Sequence, residues 1–412
     1  MGCVSPAGWG FFPLDRELEL LSGKLTPQGQ EQLVRLSGWM PFERAVEVFA
    51  DFTGVQVTKI VAMNYTETAG AAYVQMQEEE VGEWEQGKGP EVNPRADKMQ
   101  ISADGAMVPL RHGIWAEVRT LVVGEVQVNR TKDGEREIHT RNLSYFSRKV
   151  SAQEFQRLAL VEFQSRGVEQ AQAVAVVMEG AEWEQGFVDF HCPQAVRILD
   201  FPHAAEHLNA IGEFLHGEHT SQSQGWLKEQ SHRLKHEGPK ELLCELEKLQ
   251  RKHPHSAVLS SNLAYLKKRT QQMQYPLFQA QGWPIGSGAV ESGNKLVVEA
   301  RLKGAGMHWE ENNVNPMLAI RNILCSGRWK EDWPRIEARL RKQTRQRQRQ
   351  VHRLHHPIPP TTRVGRALLL GDFGSDSIEP LGQEASPPKP MKSPWRSFVH
   401  GKTLYQRNPP KI

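Results

Sequence analysis

Three acidic residues stand where a carboxylate is either unusual or well placed for chemistry. Asp104 interrupts the apolar stretch I-S-A-D-G-A-M-V-P-L just before a glycine, although Asp is disfavoured in strands. Glu179 closes the run A-V-A-V-V-M in the same way, again before a glycine. Glu291 follows the turn P-I-G-S-G, in which Ser287 is a candidate N-cap, and the amphipathic pattern behind it predicts Glu291 in the first turn of a helix. Singly, each has a plain structural reading: an Asp-Gly turn at Asp104, a helix-stabilising acid at Glu291. Together they repel one another unless a cation neutralises them. Such a trio suits paired Mg²⁺ or Mn²⁺ ions, about 3.5–4 Å apart, that clamp the attacking and leaving oxygens of an in-line phosphoryl displacement. Water or a 3′-hydroxyl then attacks, and no nucleophilic side chain is needed.

A fourth acid, Asp200, sits in R-I-L-D-F-P-H-A-A-E-H-L with His203 three residues on and His207 one helical turn later. Asp200 is expected at the end of a strand and His203 at the start of a helix, so both face the same end of the sheet as the trio. The spacing is not that of H-E-x-x-H, and no further ligand accompanies it, which argues against zinc and for a supporting or DNA-positioning role. Two candidates for the middle acid stay open. Spacing alone picks Asp200, whereas sheet geometry favours Glu179, because the fourth strand neighbours the first.

The elements that must position these residues follow from periodicity. Helices are expected at Gln28–Leu36, Pro41–Phe52 and Val57–Glu80, the last two separated by Thr53-Gly54-Val55 in a helix-turn-helix layout, with a plain helical hairpin as the alternative. A polar linker, Gly82–Asp97, precedes three strands at Met99–Leu110, Trp115–Val128 and Ile138–Phe146, with turn signals at Lys132-Asp133-Gly134. A helix over Ser151–Arg166, a strand at Ala171–Met178, a further helix and a strand at Ala195–Leu199 complete the order β-β-β-α-β-α-β. That order is the order of a ribonuclease-H-like fold, a mixed sheet of α/β (α+β) class with helices on its faces. Helices at Ala204–Leu215, Gly225–His236, Lys240–Lys252 and Ala257–Tyr275 form an all-helical insertion, followed by the Glu291 helix to Leu302 and another at Asn315–Cys325.

The domain plan is therefore an N-terminal helical region (1–81), a linker (82–98), the first part of a core (99–203), the insertion (204–280), the C-terminal core helices (281–335) and a basic arm with a disordered tail (336–412). The 412 residues carry a net charge of only +3, but Arg328–Arg353 is dense in cations while Glu78–Glu85 is acidic. Such a basic block is expected as a solvated arm, with nucleic acid its commonest partner. Four scattered cysteines, Cys3, Cys192, Cys244 and Cys325, read as reduced thiols. No apolar run spans a bilayer and no secretory signal precedes the first structured segment, so the expectation is a cytoplasmic protein without a membrane partner.

Several motifs in order resemble bacterial insertion-sequence transposases of the Mutator-like superfamily, ISKra type: D-G-A-M-V-P at Asp104, E-G-A-E-W at Glu179, I-L-D-F-P-H-A-A-E-H-L at Asp200, G-S-G-A-V-E-S-G-N-K at Glu291, M-H-W-E-E-N-N-V-N-P-M-L-A-I-R-N at Met307–Asn322 and F-F-P-L-D at Phe11–Asp15. The resemblance covers Phe11 to about Trp333. It implies a DDE transposase with a ribonuclease-H-like core, Mg²⁺ or Mn²⁺ as cofactor, Asp104 as first and Glu291 as last acid, and a C/D-x-x-H signature matched by Asp200 and His203. Relatives have Asp where this chain has Glu179, and they carry a cysteine-containing, zinc-ribbon-like segment before F-F-P-L-D where only Cys3 remains. Implied partners are double-stranded DNA, as terminal inverted repeats and as target, and further copies of the chain assembled on it near the bacterial nucleoid. The residues expected to meet DNA are Lys59, Lys295, Arg301, Lys303, Arg341, Lys342, Arg345, Arg347 and Arg349. Rival readings are a DNA-binding relic without catalysis and a nuclease that cuts without joining.

Overall fold

The computed structural model describes residues 3–4, 10–11, 25–89, 96–130 and 136–355, with side chains across 25–89, 96–130 and 136–347. The chain divides into two compact units, one of residues 1–23 with 338–412 and one of Lys24–Glu337. In the smaller unit, β1 (Cys3–Val4) pairs antiparallel with β2 (Gly10–Phe11). The rest of the F-F-P-L-D motif, the Lys132-Asp133-Gly134 turn and the tail expected to be disordered lie outside the described residues.

The larger unit opens with α1 (Pro27–Trp39), α2 (Phe42–Thr53) and α3 (Lys59–Glu85). Thr26 and Thr58 cap α1 and α3 by accepting from Gly29 and Val61, and Gly54 ends α2 in the left-handed conformation. Helix α3 runs through the start of the expected linker to Glu85 and accommodates Gly82, whose helix penalty is only about 1 kcal/mol. These helices do not stand apart. Leu33, Phe42, Phe49 and Ala62 share one core with Val108, Val118 and Val298, and residues from Ala62 to Val81 are buried along α3. The second helix of the helix-turn-helix layout is thereby committed to packing over most of its length.

The sheet is built from β3 (Lys98–Pro109), β4 (Trp115–Arg130), β5 (Arg136–Arg148), β6 (Ala173–Met178) and β7 (Val196–Leu199), in the spatial order β5-β4-β3-β6-β7. Pairing is antiparallel for β3–β4 and β4–β5 and parallel for β3–β6 and β6–β7, so β4 alone runs against the rest. Side chains alternate across a strand. Met99 and Ile101 accordingly face a core shared with Phe155, Phe163 and Phe187, while Ala106 and Val108 face Val290, Val297 and Val298 on the opposite side.

The first face is covered by α4 (Ala152–Leu158), α5 (Leu160–Arg166) and α6 (Glu182–His191). The single helix expected over Ser151–Arg166 breaks at Ala159, which joins α4 to α5. Beyond β7 comes the helical excursion α7 (Phe201–His216), α8 (Ser221–His236), α9 (Pro239–Lys252), α10 (Ala257–Lys268) and α11 (Tyr275–Ala280). The helix expected over Ala257–Tyr275 is interrupted by a 3₁₀ turn at Thr270–Met273. Leucines of the excursion, Leu234, Leu242, Leu259 and Leu263 among them, bury with Ala175, Val177 and Ile198 of the sheet.

The chain returns through α12 (Gly288–Gly293), a π-helical stretch Asn294–Glu299 and α13 (Ala300–Leu302), followed by α14 (Glu311–Cys325) and α15 (Trp329–His355). The basic block expected as a solvated arm is thus helical from Trp329 to His355. Its first cation, Arg328, is not solvated: its guanidinium donates to both oxygens of the buried Glu162, at 3.2 and 2.9 Å. Cys192, Cys244 and Cys325 are free thiols. Among the described residues, no helix is long and apolar enough to cross a membrane.

Candidate active site

Asp104 lies within continuous strand, paired with Thr120 of β4, so the Asp-Gly turn is excluded. The parallel register runs to Ile101–Val176 between β3 and β6 and to Met178–Leu199 between β6 and β7. Asp104 lies three residues past the first ladder, and Glu179 and Asp200 directly follow β6 and β7, so the three acids gather at one end of the sheet, where the charges of Asp104 and Asp200 bear on Glu179. The Asp200 amide donates to Met178 O at 2.8 Å, which extends the β6–β7 ladder to Asp200. Asp104 projects on the face that α12 covers.

Helix α12 comes close enough to reach Asp104 because of Gly293. A Cβ there would meet Val122 Cγ2 at 2.9 Å and the Tyr145 ring at 3.1 Å, so a side chain would lift the helix off the sheet. The next residue, Asn294, opens the π-helical stretch, and such π-bulges re-aim side chains at functional sites. Asn294 Nδ2 donates to Asp104 Oδ2 at 2.7 Å, and the Gly105 amide donates to Oδ1 at 2.6 Å. The other amide atom of Asn294, Oδ1, is buried without a hydrogen-bond partner. Glu291, in the first turn as expected, is exposed. Ser287 occupies the cap position, but its hydroxyl makes no cap bond and is buried unpaired.

The electrostatics of this group are those of acids short of positive charge. Burial pushes the Asp104 carboxyl above its ordinary range, and the charges of Glu291 and Glu117 add to the rise against the Gly105 and Asn294 donors. Glu179 is raised by burial, then by Asp104, Asp200 and Glu206, with His203 opposing. Glu184 is pushed up to about 8, chiefly by burial, with Glu179 and Asp104 contributing. Its Oε2 accepts from the amides of Gly180 and Ala181 at 2.8 and 3.0 Å. The position of Glu184 at the third residue of α6, where a Glu often reaches back to free amides, was the available signal for it. Asn294 was visible only as a letter in the Glu291 motif.

Asp200 serves differently from the other acids. It is buried, at 2% exposure, and each oxygen accepts a backbone amide: Oδ2 from His203, capping α7, at 2.9 Å, and Oδ1 from Ser287 at 2.6 Å. It acts as a clasp between the end of β7 and the turn before Glu291. His203 faces Glu206 and packs edge-on against His207 and Tyr265, and His207 stacks on Tyr265 at 3.8 Å. His207 Nδ1 shares a 2.6 Å hydrogen bond with Asn262. These imidazoles belong to an aromatic cluster and do not converge with Asp200.

Among the described residues, no three His, Cys, Asp or Glu side chains stand together as a ready metal cage. The donor chemistry nonetheless fits a hard divalent cation: oxygen donors only, partly buried, mutually repelling, beside the orphaned Asn294 oxygen.

The residues expected to meet DNA fall into distinct settings. Arg301 is a correction: it is 2% exposed, donates to Ser37 O at 2.9 Å and lies over the rings of Phe42 and Trp309. That is core packing. Lys59 pairs with Glu43 at 2.8 Å and Lys303 with Glu299 at 2.7 Å. Lys295 is exposed beside Asn294, and Lys342, Arg345 and Arg347 are exposed on α15, with Arg341 half-buried. Arg349 lies on α15 beyond the described side chains. Compared with known proteins, the chain matches no family model and no curated protein.

Proposed function

We propose that this chain is a DNA transposase of a bacterial insertion sequence, similar to the Mutator-like superfamily of ISKra type, with a ribonuclease-H-like catalytic core. The observation that carries the reading is the gathering of Asp104, on β3, and Glu179, directly after the neighbouring parallel β6, under a helix that carries Glu291 and is tied to Asp104 through Asn294. The strand order β5-β4-β3-β6-β7 with β4 alone reversed supports the fold. Asp104, Glu179 and Glu291 would hold Mg²⁺ or Mn²⁺, which supplies charge neutralisation at the scissile phosphate and activates the attacking hydroxyl or water. The residues themselves do the rest. Asn294 orients Asp104, the exposed Glu291 stands near enough for its charge to raise Asp104, and Asp200 fixes the turn from which the Glu291 helix starts. Glu179 is the middle acid on this reading, because the charge of Asp104 bears on it directly, whereas Asp200 is 2% exposed and joins the start of α7 to the Ser287 turn.

The exposed cations of α15 support contact with DNA phosphates. An assay with labelled element ends in Mg²⁺ and in Mn²⁺ tests the proposal: joined products support a transposase. Cut ends that never join identify a nuclease, and a shifted complex with neither product identifies a DNA-binding relic. The relic reading draws on one residue, Glu179, where relatives carry Asp.

A further inference from the structure

The segment Glu179–Ala181 is held from two sides by groups that the metal reading does not use. On one side Glu184 accepts from the Gly180 and Ala181 amides. On the other, two side chains of the helical excursion donate to its carbonyls. The Tyr265 hydroxyl donates to Glu179 O and the Arg269 guanidinium to Gly180 O. Arg269 lies 3.6 Å from the centre of the Tyr265 ring, within range of a cation–π contact that fixes the two relative to each other. Gly180 sits at φ 88°, where a side chain is strained, and a Cβ there would run into Arg269 Nε and meet the Tyr265 hydroxyl at 2.8 Å. The backbone of Glu179 is therefore clamped directly by the end of α10, and the meeting of β3, β6 and β7 at this end of the sheet gains a fourth contributor that is distant in sequence.

We propose that Tyr265 and Arg269 are positioning residues for Glu179: by gripping the carbonyls of Glu179 and Gly180, the excursion sets where the Glu179 carboxylate stands relative to Asp104. This role rests on the metal-site reading above. It gives the excursion a part in the site, since any displacement of α10 moves the backbone that carries the middle acid. Glu179 follows the last residue of β6, and the ladder to β3 ends at Val176, so without this grip its direction is set by the Gly180 turn and the Glu184 bonds to the two amides behind it. Tyr265→Phe removes one oxygen and leaves the ring that stacks on His207. Arg269→Gln is the second variant, should the first alter folding.

The test is isothermal titration of the full chain with Mn²⁺, with thermal melts alongside. Wild type, Tyr265→Phe, Arg269→Gln, Glu179→Gln and the double variant Glu179→Gln/Tyr265→Phe are compared, with Trp309→Phe as a control that loses a buried side-chain-to-carbonyl bond elsewhere in the core. Loss of one such hydrogen bond predicts weaker Mn²⁺ binding by about 3- to 10-fold in Tyr265→Phe, none in Trp309→Phe, and no further loss when Tyr265→Phe is added to Glu179→Gln. A residue that acts only on overall stability would weaken binding to the same extent in both backgrounds, and that additive result overturns the inference, as does wild-type Mn²⁺ affinity in both Tyr265→Phe and Arg269→Gln. Wild type that takes up no Mn²⁺ overturns the metal reading itself, and the positioning role falls with it.

Discussion

Asn294 Nδ2 donates to Asp104 Oδ2 at 2.7 Å across 190 positions of the chain. Through this one bond the strand carrying the first acid and the helix carrying the last acid share a fixed point. The bond forms because Gly293 lets the helix lie against Val122 and Tyr145 and because the π-helical stretch begins at Asn294.

Replacing Asp104 by Asn or Glu291 by Gln keeps shape and removes charge. Each variant should cut element ends about 100-fold more slowly or worse while binding them as wild type does, read by cleavage and mobility-shift assays on the same samples. Cutting at the parental rate in Mg²⁺ by either variant would falsify the assignment.

Glu179 extends one methylene further than Asp from its backbone, and misplacement near an ångström costs on the order of 100-fold in rate. Wild type is expected to be slow in Mg²⁺ and faster in Mn²⁺, which tolerates altered ligand placement. Glu179→Asp should raise the Mg²⁺ rate by about 10- to 100-fold. An unchanged rate in Glu179→Asp, together with activity abolished in Asp200→Asn at unaltered melting temperature, would transfer the middle position to Asp200.

Asp200→Asn is instead expected to lower stability by about 1–3 kcal/mol, because the substitution turns one of two amide acceptors into a donor facing a backbone N–H. Thermal melts at constant pH read this loss directly.

Much of this arrangement is visible in the residue pattern, and the limits have physical causes. Asp104 and Glu179 interrupt or end apolar runs whose alternation marks strands, and the parallel pairing that makes them neighbours follows from the order of elements. Asn294 could not be read, since the reach of its side chain depends on a π turn that has no compositional mark. Arg301 carries the charge of a DNA contact but is enclosed by Phe42, Trp309 and the Ser37 carbonyl, partners that meet only in three dimensions. The break at Ala159 leaves no trace in the pattern, because the apolar spacing of Phe155, Leu158 and Phe163 continues across it. The cations of Arg328–Arg353 look alike in sequence, yet Glu162 draws Arg328 into the interior.

Glu184 supplies a pH dependence. Burial raises its carboxyl from 4.5 to about 8, so the folded state holds a proton that the unfolded chain releases at lower pH. Its contribution is fully present below about pH 4.5 and is lost as pH rises toward about 8, by about 3–5 kcal/mol. Glu184→Gln should flatten the fall in stability across that window, measured as urea midpoints against pH for the two proteins. Parallel curves would place the ionisation elsewhere.

The exposed cations of α15 should act through phosphates. Replacing Lys342, Arg345 and Arg347 by Ala is expected to weaken element ends and random DNA alike, and to reduce the slope of log affinity against log salt by about 0.9 for each phosphate no longer neutralised. Selective loss of end binding, with random DNA unaffected, would instead make this helix a reader of bases.

Asp200 also closes a loop. It caps α7 and accepts the Ser287 amide, while the Phe201 amide donates to Ile285 O at 2.9 Å, so the helical excursion departs and returns at one point of the sheet. An excursion with adjoining ends imposes no span on the framework that bears it, and a change of length in an outer turn that leaves its packing on the sheet intact costs only the slow logarithmic growth of loop-closure entropy. Residues 202–284 thus tolerate a change of length at their outer turns, where neither the Tyr265 and Arg269 grip nor the leucines packed on Ala175, Val177 and Ile198 are touched, while β7 still hands over to the Glu291 helix at the same place.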